Sequence, residues 1–199
     1  MSSPSEKITR RKATRSTQKP RLTRDAWLDL GIDLLRTRGT SGLTLEELTA
    51  QAGVTRGSFY WHFDNHTAFL VQLCQKWSDD YTQSVIEAMN EEPGLSPRER
   101  LKRVIVIILG RGMAKLDVHF RELATTRPEV MDVVKQVDTE RTRFITGLFR
   151  DLGFSGDDLK TRVHTFVVLH SLESSVHTGL VANKSLEKIA EHRMAFFLN

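Results

Sequence analysis

The side chains of residues 55–62 are suited to binding a nucleic acid. The stretch is led by Arg56, whose guanidinium can donate two parallel hydrogen bonds to a guanine edge. Three ring side chains at its far end offer a hydroxyl, an indole N–H and an imidazole, which suit phosphates and sugar edges. The candidate contacts are Thr55, Arg56, Gly57, Ser58, Tyr60, Trp61 and His62.

An alternative is that the rings of this stretch are ordinary packing in a three-helix core. Phe59 and Phe63 lie four residues apart and already define an inward helical face. Tyr60, Trp61 and His62 are therefore unable to share that face all together. The spacing favours an exposed, reading role for them.

Two short helices joined by a tight turn are predicted to position these side chains. Thr44 is a helix N-cap, and Glu47 three residues later completes a capping box. The helix runs to about residue 52, and Gly53 supplies a turn that needs positive φ. Thr55 caps the next helix. Residues 44–63 thus predict a helix-turn-helix, whose second helix enters the major groove of DNA.

The remainder of the chain is predicted to be all-α, because no segment alternates with period two for long enough to form a strand. A linker at 91–97 interrupts the helices. We predict a disordered basic tail at 1–20, a three-helix head at 21–66 and a helical regulatory and dimerisation domain at 67–199. The predicted helices, about nine, cover 24–38, 45–52, 56–62, 66–90, 98–115, 117–126, 128–152, 157–180 and 184–198.

Charge is concentrated at one end of the chain. The first 24 residues hold eight of the 29 Lys and Arg residues and one of the 25 acids, so the rest is mildly acidic. A basic terminal segment predicts a polyanionic partner. The alternative is a solvated tail that only aids solubility.

Composition narrows the class of protein. A single cysteine, Cys74, allows no internal disulfide and no zinc site built on thiolates alone. The longest apolar run, residues 104–109, is far too short to span a bilayer. The N-terminus has no apolar stretch of the signal-peptide kind. We expect a cytoplasmic protein with no membrane partner and no cofactor.

Short motifs at fixed spacing run through the segment from Arg21 to about Leu70. The segment resembles the DNA-binding domain of the TetR family of bacterial one-component transcriptional regulators, over about a quarter of the chain. Its Tyr-x-His-Phe signature, preceded by Ala-Gly-Val, is highly specific. The matching residues are Gly39, Gly42-Leu43-Thr44, Leu48, Ala52-Gly53-Val54 and Phe59-Tyr60-Trp61-His62-Phe63.

The resemblance implies roles at the matching positions. Arg56 and Ser58 correspond to positions that contact bases. Tyr60 and Trp61 match residues that touch the DNA backbone or nearby bases, and His62 closes the recognition helix.

Phosphate contacts are implied around this helix. Thr44, at a helix N-terminus, can hold a phosphate. His66 stands where the family usually has a phosphate-binding lysine, so that contact is expected to be weaker or pH-dependent. Lys19, Arg21 and Arg24 are expected to touch the backbone and compensate.

The resemblance also implies a homodimer and a small-molecule effector. The last two helices would form the dimer interface, so that two heads read a palindromic operator in double-stranded DNA. An unidentified ligand would bind among the middle helices, although ordinary core packing remains the alternative for each candidate. The pocket candidates are Trp77, Tyr81, Met113, His119, Phe120, Phe144, Phe166 and His170.

A metal site is not expected. His170, Glu173 and His177 share one helical face, but the two histidines are two turns apart, about 10.5 Å along the axis. One ion could not easily meet both, and surface or interface polar residues are the simpler interpretation.

Three functional hypotheses follow. The first is a repressor that a small molecule releases from DNA. The second is a nucleoid-structuring or division-linked DNA-binding protein without an inducer, which a closed apolar cavity would argue against. The third, a helical enzyme, lacks support because no nucleophile–base set and no phosphate-binding glycine loop is found.

Deleting residues 1–18 should reduce the salt dependence of DNA binding. Each phosphate that the tail neutralises contributes about 0.9 to the slope of log affinity against log salt concentration. Anisotropy titrations of both chains at several salt concentrations measure the slope. An unchanged slope would show that residues 1–18 make no phosphate contact.

Overall fold

The computed structural model describes residues 22–176 and 185–199, and these contain nine helices and no strand. The predicted all-α class is confirmed. Helix α4 combines two α-helical segments and a π-helical turn between them. The helices are α1 (Arg24–Arg38), α2 (Leu45–Ala52), α3 (Arg56–Tyr60), α4 (His66–Ser78, Asp79–Gln83 and Ser84–Asn90), α5 (Pro97–Gly110), α6 (Met113–Ala124), α7 (Pro128–Asp151), α8 (Gly156–Leu172) and α9 (Leu186–Leu198).

Local signals set the ends of the first helices. The Thr23 hydroxyl accepts from the Ala26 amide at 3.1 Å, and the Asn65 side chain accepts from the Ala68 amide at 2.8 Å. Gly53 takes the left-handed conformation, with φ of 66°, at the turn between α2 and α3.

An aromatic cluster forms the core of the first three helices. The Phe59 ring centroid lies 5.4 Å from that of Trp27, 5.1 Å from Phe63 and 5.3 Å from Phe69. All four side chains are buried. Edge-to-face ring pairs at such distances stabilise the packing beyond their buried area. The cluster therefore fixes α3 against α1 and α4.

Two buried cores share the molecule. The first joins the head to the middle helices, because Phe120 of α6 and Val134 of α7 belong to the same cluster as Phe59. The second lies among α5, α7, α8 and α9 and is centred on Phe149 and Phe166. Helix α4 passes from the first core to the second.

Several helix boundaries differ from the prediction, including the start of α6, which is Met113 rather than 117. Helix α5 ends at Gly110 rather than 115, because Gly112 takes φ of 58° and α6 begins at Met113. Helix α3 is shorter, and its last turn at 61–62 is not regular helix. Helix α8 ends at Leu172 in a short 3₁₀ turn, and the predicted part beyond residue 176 lies outside the described residues.

Within the described ranges, no helix combines the length and the apolar character needed to cross a membrane.

Replacing Gly31 with alanine should destabilise the fold, because α1 and α4 cross closely there. A Cβ at Gly31 would lie 2.8 Å from Leu73 Cδ1 and 2.9 Å from Phe69 Cζ. Overpacking of this kind costs about 1–3 kcal/mol. Urea unfolding measures the loss.

Gly147→Ala is the matched control. It lies within α7, where a Cβ would meet nothing within 4 Å. Alanine there should raise the free energy of unfolding by up to ~1 kcal/mol through helix propensity. Equal effects of the two substitutions would contradict the close crossing.

Candidate nucleic-acid interface and buried cavity

Helix α3 presents aromatic side chains to solvent. Tyr60 is 52% exposed and Trp61 is 68% exposed, whereas Phe59 and Phe63 are fully buried. Large exposed rings on a soluble protein mark an interaction surface when they adjoin polar groups. The structure thus separates the inward pair from the outward pair as the spacing predicts.

The start of α3 is open and polar. Arg56 is exposed and pairs with the Glu46 carboxylate of α2. Gly57 is exposed, and Ser58 is half-buried beside it. The exposed Arg56–Glu46 pair is worth little in water, so the guanidinium is available to another acceptor such as a base edge.

The two predicted capping threonines differ. The Thr44 hydroxyl accepts from the Glu47 amide at 3.2 Å, while the Glu47 carboxylate pairs with Arg38 rather than closing a capping box. Thr55 holds the N-cap position of α3 with extended backbone, but its side chain makes no capping bond. Both threonines are exposed.

Three further candidates make contacts within the head. Arg24 donates to the His62 carbonyl oxygen at 2.7 Å, which places a cation at the C-terminal end of α3. His66 Nε2 lies 2.6 Å from the Leu43 carbonyl oxygen, and its ring stacks on Phe69. His66 thus ties the segment before α2 to the start of α4.

The head has a deficit of positive charge. Residues 22–66 contain four arginines and six carboxylates. A surface that binds phosphates needs the opposite balance. Arg21 and the basic residues before it lie outside the described residues, and the sequence places the missing charge there.

A cavity of about 50 Å³ lies among α4, α5, α6, α7 and α8. Its wall is mostly apolar, with side chains such as Val85, Val104 and Ile145. Of the eight predicted pocket residues, the structure places five in this wall. They are Tyr81, Met113, Phe144, Phe166 and His170.

The other three candidates lie elsewhere. Trp77 and Phe120 are buried and stack with ring centroids 4.8 Å apart, beside the cavity rather than in its wall. His119 lies against Gly39 at the contact between the head and α6, with Nδ1 3.6 Å from the Glu122 carboxylate.

A buried ion pair forms one side of the cavity. The two terminal nitrogens of the Arg141 guanidinium, Nη1 and Nη2, donate to the Asp117 carboxylate. Arg141 Nε donates to the Thr82 hydroxyl at 2.9 Å. Trp77 Nε1 donates to Asp117 at 3.1 Å. The Arg141 carbon Cζ lies 5.2 Å from the Trp77 ring centroid. The charges are therefore paired and hydrogen-bonded, as burial requires.

Sequence reasoning missed this pair, although a signal for it exists. Asp117 falls on the buried stripe of α6 between Met113 and Phe120, at helical spacing. Arg141 falls on the buried stripe of α7 between Val137 and Ile145. One acid and one base on buried helical stripes predict a pair, because an unpaired buried charge is costly.

His170 is a buried neutral histidine at the cavity wall. Its Nδ1 lies 2.8 Å from the Phe166 carbonyl oxygen, and its Nε2 has no hydrogen-bond partner. Burial, with a smaller contribution from the nearby Arg193 guanidinium, lowers the pKa of His170 to about 4, against the effect of the Phe166 carbonyl. The ring is uncharged at neutral pH.

Cys74 is fully buried, as expected for a small apolar residue. Burial, and then the Asp117 carboxylate, raise the pKa of its thiol to about 12. The described residues contain no group of His, Cys, Asp and Glu side chains suited to a metal ion. Glu173 accepts from Arg193, and His177 lies outside the described residues.

Helices α8 and α9 carry exposed apolar side chains on the outside of the second core. On α9, Ile189, Ala190 and Phe197 are buried, the last two in the second core. The exposed apolar residues at this end are Val168, Leu172, Val176, Leu186 and Phe196.

Comparison with known proteins identifies the head. Residues 28–73 match the family model described as "Bacterial regulatory proteins, tetR family". The head has three helices, and the last of them, α3, is exposed as the second helix of a helix-turn-helix. The head of this chain is therefore similar to that of TetR-family regulators.

Two curated relatives align with less than half of their own length. The chain is 28% identical to the HTH-type transcriptional regulator AcrR of Shigella flexneri over 97 residues, 49% of this chain and 45% of that protein. It is 33% identical to the HTH-type transcriptional repressor DhaR of Mycobacterium sp. (strain GP1) over 82 residues, 41% of each chain.

The fold is similar over most of the chain to that of AibR, which was solved in complex with isovaleryl coenzyme A and operator DNA. That structure gives a TM-score of 0.70 with 18% identity and covers 88% of this chain and 98% of the other. At this identity the likeness shows a shared fold.

Removing one member of the buried pair should be strongly destabilising. Asp117→Leu leaves the Arg141 guanidinium buried without its acceptor, and such a loss costs about 3–5 kcal/mol. Urea unfolding measures the change.

The double variant D117L/R141M is the control for that substitution. It removes both charges and should recover most of the lost free energy, because apolar replacements of a buried pair are often neutral. A double variant as unstable as Asp117→Leu would contradict the pairing.

Proposed function

We propose that this chain is a DNA-binding transcriptional regulator, a cytoplasmic repressor that a small-molecule ligand releases from a palindromic operator. The observation that carries the proposal is the outward face of α3. Arg56, Tyr60 and Trp61 are exposed there, on a helix whose Phe59 anchor is fully buried. AcrR and DhaR, which share the head, are named as transcriptional regulators.

Each of the three predicted segments of the chain would have its own role. A basic tail at 1–20 would supply backbone contacts, the head at 21–66 would read bases, and residues 67–199 would sense the ligand and dimerise. Thr44, Thr55, Ser58 and the neighbouring Gly57 would complete the contact surface of α3. His66 would then act mainly by shaping the head, since its ring meets the Leu43 carbonyl oxygen, and the His62 carbonyl oxygen accepts from Arg24.

Exposed apolar side chains on α8 and α9 support a homodimer. Val168 and Leu172 lie one helical turn apart on α8, and Phe196 on α9 is 67% exposed. Side chains of this size are normally covered when they cluster. A two-fold dimer would give two copies of α3 for the two halves of a palindrome.

Contacts between the cavity and the head support release by a ligand. Tyr81 lies in the cavity wall, and its hydroxyl accepts from Arg36 of α1. Arg36 also lies over the Tyr81 ring, 5.4 Å from its centroid. A ligand that displaces Tyr81 would therefore move α1 and α4 together. Release requires that the ligand prefer this displaced arrangement.

The cavity also weighs against a nucleoid-structuring protein without an inducer. Such a protein needs no cavity between its helices, whereas the cavity here is bordered by the polar side chains of Asp117, Arg141 and His170. AibR, with a similar fold, was solved with both an acyl-coenzyme A and operator DNA.

The Arg56→Ala substitution tests the reading role of α3. Removing a guanidinium that reads a base should weaken binding to a DNA sequence selected from random DNA by about 1–3 kcal/mol, and should relax preference at one base position in each half-site. Anisotropy with the selected sequence and its single-base variants measures both effects.

Arg143→Ala is the matched control, because Arg143 is an exposed arginine on α7, away from the head. It should leave both affinity and base preference unchanged. If the two variants bind alike, or if the unmodified chain binds all sequences equally, the proposed function is wrong.

A further inference from the structure

The polar atoms around the cavity differ in how completely they are satisfied. The Asp117 carboxylate accepts from Trp77 and from both terminal nitrogens of Arg141. The remaining Arg141 nitrogen, Nε, donates to Thr82. The ion pair is therefore internally neutral and offers no free charge to a ligand.

Tyr81 is engaged in a similar way, since its hydroxyl already accepts from Arg36 outside the cavity. The Ser171 hydroxyl lies 3.4 Å from Arg141 Nη1 and accepts from it. Among the described residues of the wall, the side-chain polar atom without a hydrogen-bond partner belongs to His170.

His170 is 96% buried and stacks against Phe166, with ring centroids 4.1 Å apart. Its Nδ1 faces the Phe166 carbonyl oxygen, which can only accept, so Nδ1 carries the hydrogen. In a neutral imidazole the other nitrogen, Nε2, is then an acceptor. Nε2 is buried and has no partner among the described residues.

The nearby charged group does not fill this role. Arg193 comes close enough to disfavour a charged His170; its Nη2 donates to Glu173, whereas its Nη1 makes no hydrogen bond, to His170 Nε2 or to any other described group. A buried acceptor without a donor is costly, and a ligand that donates one hydrogen bond would remove that cost.

We propose that the cavity selects a neutral, mostly apolar small molecule that carries one hydroxyl or N–H donor, and that His170 Nε2 accepts from that donor. The apolar remainder of the wall would hold the hydrocarbon part of the ligand. The volume of about 50 Å³ is only a few times the roughly 10–15 Å³ that one water needs. The cavity therefore holds a small ligand, and a larger one would require the wall to move. This inference rests on the proposed ligand-controlled function.

The test is a matched set of probes. Five small phenols and alcohols are compared with their methyl ethers, which lack the donor, and with carboxylates of the same skeleton, which are charged. Calorimetry with the full chain measures binding. The donors should bind roughly 10-fold more tightly than the ethers, because one buried hydrogen bond changes the affinity by about that factor. The carboxylates should bind more weakly still.

Variants at His170 assign the preference to this residue. His170→Phe keeps the ring packing but removes the acceptor, and should abolish the difference between donors and ethers. His170→Gln returns an acceptor oxygen and should restore part of it. Thermal unfolding shows whether each variant is folded. If a variant does not fold, the comparison of donors, ethers and carboxylates on the unmodified chain still tests the proposal.

The outcomes separate this inference from the proposed function. Ethers or carboxylates that bind as tightly as the donors overturn the ligand class, as does a set in which no probe binds. In either case, selective DNA binding by the unliganded chain would leave the regulator proposal intact. If the unliganded chain does not bind DNA selectively, the proposed function is wrong, whichever probes bind.

Discussion

Burial of Phe59 is the contact on which the reading surface depends. Helix α3 has five residues, and an isolated helix of that length does not form in water. Its position is set by the rings of Trp27, Phe63 and Phe69 around Phe59. Because Phe59 points inward, the next two residues, Tyr60 and Trp61, are directed outward.

Helix α4 extends this constraint from the head to the cavity. Phe69 near its start packs in the head cluster, Trp77 further along donates to Asp117, and Tyr81 and Thr82 of the π-helical turn reach the cavity wall. π-helical turns occur frequently at functional sites. In a close-packed interior, a shift at one end of such a helix is felt at the other.

The head could be predicted from sequence because its signals are local. Thr23, Thr44 and Asn65 are capping residues at helix starts, and Gly53 occupies a position that requires positive φ. The four-residue spacing of Phe59 and Phe63 identified the buried face. Each of these signals depends only on residues that are close in sequence, so the local sequence is enough to predict the local structure.

The cavity could be predicted only in part, because its contacts join distant residues. Asp117 and Arg141 are 24 residues apart and meet only when α6 packs on α7. The π-helical turn at Asp79–Gln83 has no simple sequence signature. His66 was expected to face phosphate, but tertiary packing directs it to the Leu43 carbonyl oxygen. Its role toward DNA remains a prediction.

Hydroxyl-radical footprinting of the full chain, on a sequence selected from random DNA, tests most directly whether two copies of α3 read a palindrome. We expect two protected tracts on one face of the duplex, with half-site centres about 10–10.5 base pairs apart or a whole multiple of that spacing. A single protected tract, or uniform protection that does not depend on sequence, would contradict the dimeric reading of DNA through α3.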